Sequence, residues 1–154
     1  MYFSESQLEE WGCTEYISLS DRRRNYLEPT SGATGGHLCD KVNSTNGNGQ
    51  NAGRTARDWV GPNWYRFISD AGTQLTQNPV PEVHCGTHIG GWLQGSHPVN
   101  KGTTYDRKVC FNKNSEQSLD VCPWSVQIKV RHCGEYFLYY LPDAPACNVG
   151  YCAQ

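Results

Sequence analysis

WSVQIKVRHCGEYFLYYL, residues 124–141, decides the fold class by its alternation. Val126, Ile128 and Val130 fall on one side of an extended chain, and Gln127, Lys129 and Arg131 fall on the other. A period of two is the pattern of an antiparallel strand with one face on a core and one in water. Cys133-Gly134 follows, and then the aromatic run Glu135 to Leu141, which suits a second strand pairing back as a hairpin.

Working outward, DWVGPNWYRF (58–67) reads as a turn entering an aromatic strand, and YDRKVCF (105–111) as a further strand. No segment offers a helical stripe longer than about two turns. Isoleucine, leucine and valine are sparse while tyrosine, tryptophan and glycine are plentiful. The expectation is a mainly β, small disulfide-rich domain with antiparallel strands and long irregular loops. Neither a repeat nor a second domain is visible, so residues 1–154 form a single cysteine-rich domain.

Charged residues make up 18% of the chain and the formal net charge is only -2, which gives no basic excess to attract nucleic acid. The triplet Arg22 to Arg24 reads as a solvated face. No run approaches the roughly 18 apolar residues that span a bilayer, so no membrane insertion is expected. MYFSESQLEEWG at the start has neither a basic head nor an apolar stretch and is not a signal peptide.

Eight cysteines stand at 13, 39, 85, 110, 122, 133, 147 and 152, none in a Cys-x-x-Cys knuckle. An even count without metal-type spacing points to disulfides in an oxidising compartment. The chain is therefore expected to be secreted, with a signal already removed and Met1 an added residue. An even count also leaves no thiol for an interchain bridge, so any homo-oligomer is non-covalent. Spacing alone leaves all 105 pairings of four bridges open.

HCGTHIGGWLQGSHP (84–98) concentrates His84, His88 and His97 beside Cys85. On a helix His84 and His88 would face one metal, but Gly86, Gly90 and Gly91 break a helix and the nearest acid is Glu82. A Cys–His nucleophile needs a thiolate, which an oxidised Cys85 cannot supply. Paired carboxylates, a Gly-x-Ser-x-Gly elbow and a phosphate-cradling loop are not found, nor is a calcium-ligand loop. The stretch reads as a loop; no enzyme, metal or cofactor is expected.

Sugar recognition needs an aromatic face for the apolar side of a pyranose, with planar polar groups around its hydroxyls. His88, Trp92, Gln94, His97 and Asn100 offer that set. A second set, Arg54, Arg57, Asp58 and Trp59, adjoins the polar loop NSTNGNGQNAG (43–53). Asn43-Ser44-Thr45 is an N-glycosylation acceptor in that loop.

Several motifs taken together resemble a known family. Trp64 to Phe67, Cys85 to Thr87, Trp92 to Pro98, Arg107 to Cys110, Tyr136 to Leu141 and Tyr151-Cys152 occur in the order of the uromodulin-type cysteine-rich domain. The likeness covers residues 58–152 well and leaves 43–57 as an exposed loop insertion. Members often carry ten cysteines, and Pro79 and Val121 stand where two of them would be. The resemblance implies the bridges Cys13–Cys133, Cys39–Cys147, Cys85–Cys152 and Cys110–Cys122. It implies a non-enzymatic extracellular module bearing N-glycans, an adhesion or structural role. Small secreted invertebrate lectins are similar in cysteine pattern, which implies binding of glycans or glycoproteins.

Overall fold

A computed structural model describes residues 3–29, 38–42, 55–111, 122 and 124–154. The loop 43–53, its sequon at Asn43, and Arg54 lie outside the described residues.

Among the described residues, seven strands form one curled sheet in the order β1-β2-β6-β5-β4-β3-β7. They are β1 (Ile17–Leu19), β2 (Asn63–Phe67), β3 (Ile89–Gln94), β4 (Thr104–Phe111), β5 (Trp124–His132), β6 (Phe137–Leu141) and β7 (Val149–Tyr151). The centre is the antiparallel run β3-β4-β5-β6, and β5 pairs with β6 as the expected hairpin, Val130 opposite Tyr139. A two-turn helix α1 (Glu5–Trp11) begins at Ser4, whose hydroxyl accepts from the Gln7 amide, and ends at left-handed Gly12.

Two features differ from the sequence reading. Ile89–Gln94, inside the histidine stretch, is a strand and not loop. Its glycines are there for close packing: a Cβ on Gly91 would lie 2.5 Å from the Phe111 ring and 2.6 Å from Val109. The outer pairs β1–β2 and β3–β7 are parallel, joining segments far apart in the chain.

Strand alternation gives the sheet two different faces. The inner face carries the main core, with Tyr65, Phe67, Leu93, Val109, Phe111, Ile128, Val130, Tyr139 and Leu141 all buried. Valine and isoleucine are few, and aromatic rings fill the space between them. On the outer face two smaller clusters sit at opposite ends. Trp92 packs with Val80, Cys85, Cys110 and Cys152 at one end, and Leu138 packs with Cys13 and Cys133 at the other.

Four disulfides fasten these layers: Cys13–Cys133, Cys39–Cys147, Cys85–Cys152 and Cys110–Cys122. These are the same pairs that the family resemblance implies. Three of them join residues 67 to 120 positions apart. Each long closure removes much of the freedom of the unfolded chain, worth about 2–4 kcal/mol apiece.

The basic triplet is not a solvated face throughout. Arg24 is fully buried; its guanidinium donates to both oxygens of Asp40 at 2.7 Å and to Asp58 at 2.7 and 3.1 Å. Asp40 also accepts from the Tyr151 amide at 2.8 Å. This clamp ties the 3-10 turn Arg22–Arg24 to β7 and to the chain flanking residues 43–54. Its neighbours point outward, Arg22 pairing with Glu28 and Arg23 with Asp21.

Candidate functional site

The structure scatters the residues that the sequence grouped for sugar binding. Trp92 is only 5% exposed, because β3 sets it beside Cys110 in register and under the Cys85–Cys152 bridge. Trp59 is 3% exposed, stacked on Tyr65 at 4.5 Å between centroids, with its indole N–H donating to Asp143. Neither indole offers a face to a ligand, which corrects both assignments. Asp58 is also withdrawn, held by Arg24. Arg57 stays exposed, without an accessible aromatic at Trp59 to work with.

His97 is a structural histidine. Its Nε2 lies 2.8 Å from the Tyr139 hydroxyl and its Nδ1 lies 2.9 Å from Gln77 Oε1. Gln77 Nε2 donates to the Gly95 carbonyl, so its Oε1 accepts from Nδ1–H, and Nε2 of the neutral ring accepts from the Tyr139 hydroxyl, whose oxygen accepts from the Leu75 amide. Burial, with Arg107 and His132 nearby, lowers the His97 pKa to about 4, which keeps the ring neutral at pH 7. Gln94 is exposed on the outer face, and Asn100 sits in an exposed turn whose carbonyl accepts from Thr103. These residues do not converge.

Of the first set, His88 adjoins a concave surface formed by described residues. A recess of about 350 Å³ is lined by His88, Ile89, Trp124, Ala146, Cys147, Asn148 and Val149. Its construction follows from the parallel pairing of β3 with β7. Ile89 stands opposite Val149 and donates to the Asn148 carbonyl, which brings His88 beside Asn148. Trp124, at the start of β5, forms an aromatic wall edge-on to Phe111. The Cys39–Cys147 bridge fixes the far side.

The loop leading to His88 is tightly constrained. Val83 and Cys85 have left-handed backbones, φ 61° and 65°, and Val83 is β-branched, for which that region is costly. Gly86 follows at φ 64°, where a Cβ would lie 2.6 Å from Arg23 Cβ. The Cys85–Cys152 bridge holds this arrangement, so His88 leaves a rigid base. Asn148 lines the recess, while its Oδ1 is closed off from solvent and has no hydrogen-bond partner among the described residues. An orphaned buried acceptor costs about 1–3 kcal/mol.

Sequence reasoning missed Asn148. No motif surrounds it, and only the β3–β7 pairing, which joins residues sixty positions apart in the register Ile89 to Val149, sets it next to His88. All eight cysteines are in disulfides, so Cys85 has no thiolate. Among the described residues no three His, Cys, Asp or Glu side chains gather as a metal site.

A disulfide-framed β module of the extracellular kind is the class these features define. The profile of the uromodulin-like cysteine-rich domain matches residues 65–153, and the chain belongs to that family. It is 36% identical over 95 residues to the pancreatic secretory granule membrane major glycoprotein GP2 of Rattus norvegicus, covering 59% of this chain and 17% of that protein. Uromodulin of Rattus norvegicus is 36% identical over 92 residues, covering 59% and 14%. The GP2 glycoprotein of Canis lupus familiaris is 29% identical over 143 residues, covering 92% and 23%. The chain thus spans less than a quarter of the length of these relatives. Members of this family are secreted or extracellular, and this chain is an extracellular module. No helix among the described residues is long and apolar enough to cross a membrane.

Proposed function

We propose that this chain is a non-enzymatic, lectin-like module that binds a neutral sugar in the recess between His88, Trp124 and Asn148. The observation that carries the reading is that recess, lined by the Trp124 indole, His88 and Asn148 around about 350 Å³. Ligand sites run from roughly 300 to 1,000 Å³, so this one suits one or two sugar rings. An indole favours the C–H face of a pyranose, and a carboxamide can both donate to and accept from its hydroxyls. The GP2 relatives are named as glycoproteins, and neither they nor uromodulin are named for a reaction, which supports the non-enzymatic part.

A second reading rests on the sequon Asn43-Ser44-Thr45: the module displays its own N-glycan to a partner and binds no sugar itself. A glycan array probed with the unreduced protein, with and without a chelator, separates the two. The lectin reading expects selective binding to one sugar class, competition by the free sugar, no effect of the chelator, and at least tenfold loss in His88→Ala and Asn148→Ala. A blank array with intact disulfides rejects it. Partner capture that disappears after enzymatic removal of the Asn43 glycan would then support display.

A further inference from the structure

The outer face of the sheet carries a band between the Trp92 and Leu138 clusters that the proposed sugar recess does not use. Strand register lays it out in two rows. Gln94, Lys108 and Gln127 align across β3, β4 and β5. One step along, Asp106, Lys129, Tyr140 and Trp64 align across β4, β5, β6 and β2. With strands about 4.8 Å apart and same-face residues about 7 Å apart along a strand, the grid spans roughly 19 Å by 7 Å.

Every polar member of this grid reaches solvent. Gln94, Lys108 and Gln127 are exposed, and the Lys129 and Asp106 side chains are 54% and 77% exposed. Tyr140 is 38% exposed and meets Trp64 edge-on at 5.6 Å. Arg131 stacks over Trp64 at 4.1 Å, fixed by bonds to Thr104 Oγ1 and to the Gly12 carbonyl. Lys129 pairs with Asp106 at 2.8 Å, so the surplus positive charge of the band rests on Lys108 and Arg131, on a chain whose net charge is -2. The other cluster of cations, Arg22 to Arg24, is engaged with Glu28, Asp21, Asp40 and Asp58. The acidic side chains of α1, Glu5, Glu9 and Glu10, come from the end of the domain next to the Leu138 cluster.

We infer that this band binds an acidic polysaccharide laid across the strands. Lys108 on β4 lies one strand and one step from Lys129 on β5, with Arg131 a further step along, a spacing that suits anionic groups repeated along a chain. Gln94 and Gln127 offer donors and acceptors to the hydroxyls between them, and Tyr140 offers a ring face to a sugar. An acidic peptide would use the lysines but not the amides and ring in this way. A flat face also fits an extended chain better than a single small molecule.

The test is fluorescence anisotropy of the intact protein with labelled heparin and labelled hyaluronate, with neutral dextran and poly-glutamate as controls. Lys108→Gln/Lys129→Gln is expected to weaken binding at least tenfold and to flatten its salt dependence. Gln127→Ala/Tyr140→Ala is expected to weaken it severalfold at unchanged salt slope. Hyaluronate binding identifies carboxylate as sufficient, and heparin binding alone identifies sulfate. Lys41→Gln, a cation elsewhere, and His88→Ala in the recess are expected to bind as the parent does, so failure here is distinct from failure of the recess. Parent-like binding by the double lysine variant, or poly-glutamate bound as tightly as either polysaccharide, overturns the inference. So does the absence of any polyanion binding at low salt.

Discussion

At the level of single residues, Arg24 shows how far composition can mislead. A run of three arginines reads as surface, and two of the three are. Only the fold reveals that residues 24, 40 and 58 meet, because those positions lie on turns with no periodic pattern. Burial acts to lower the Arg24 pKa, but the Asp40 and Asp58 carboxylates outweigh it and leave the guanidinium above its usual value. The charge is therefore held at any accessible pH. Arg24→Met would leave Asp40 buried opposite no cation. The expected cost is about 3–5 kcal/mol, read by chemical denaturation, with partial recovery when Asp40→Asn is added. A loss below about 1 kcal/mol would show that the clamp is dispensable. Trp59 and Trp92 teach the same lesson from the apolar side: an indole beside glycines and polar residues resembles a sugar platform until neighbours far along the chain cover it.

At the level of elements, legibility followed locality. β5 and β6 were evident from alternation and from the short Cys133-Gly134 connection, and β2 and β4 from aromatic or alternating runs. β3 was not, because Gly90 and Gly91 carry strand-breaking propensities that close packing overrides. β1 and β7 are three residues each and find parallel partners only across the fold. The recess inherits that difficulty, since its His88–Asn148 wall exists only through β3–β7 pairing. Gly91 gives a direct check on this element. Its backbone lies outside the left-handed region, so Gly91→Ala tests space alone: overpacking against Phe111 and Val109 is expected to cost about 1–3 kcal/mol in thermal or denaturant unfolding. An unchanged midpoint would mean that β3 does not press on the inner face as described.

At the level of the whole molecule, the fold is an aromatic core clamped by long-range covalent links. Cys13–Cys133 and Cys39–Cys147 bind the early chain to β5–β6 and to the segment before β7, while Cys85–Cys152 secures the histidine stretch to the C-terminal end. The motifs shared with the family, such as Trp92 and Cys85 to Thr87, lie mostly in this frame. That explains why fold and extracellular class were readable from the sequence while the proposed binding surfaces were not: frame residues recur as motifs, whereas His88, Asn148 and Lys129 lie outside them, and Lys108 lies inside one, Arg107 to Cys110, that marks it only as part of the frame. The frame also gives the histidine stretch its meaning as a staple, with Cys85 held in a bridge to Cys152. The direct test is peptide mapping of the non-reduced protein by mass spectrometry, with thiol labelling under denaturing conditions. The account expects Cys13–Cys133, Cys39–Cys147, Cys85–Cys152 and Cys110–Cys122 with no labelled thiol. A free Cys85, or Cys85 bonded to any partner but Cys152, would contradict it.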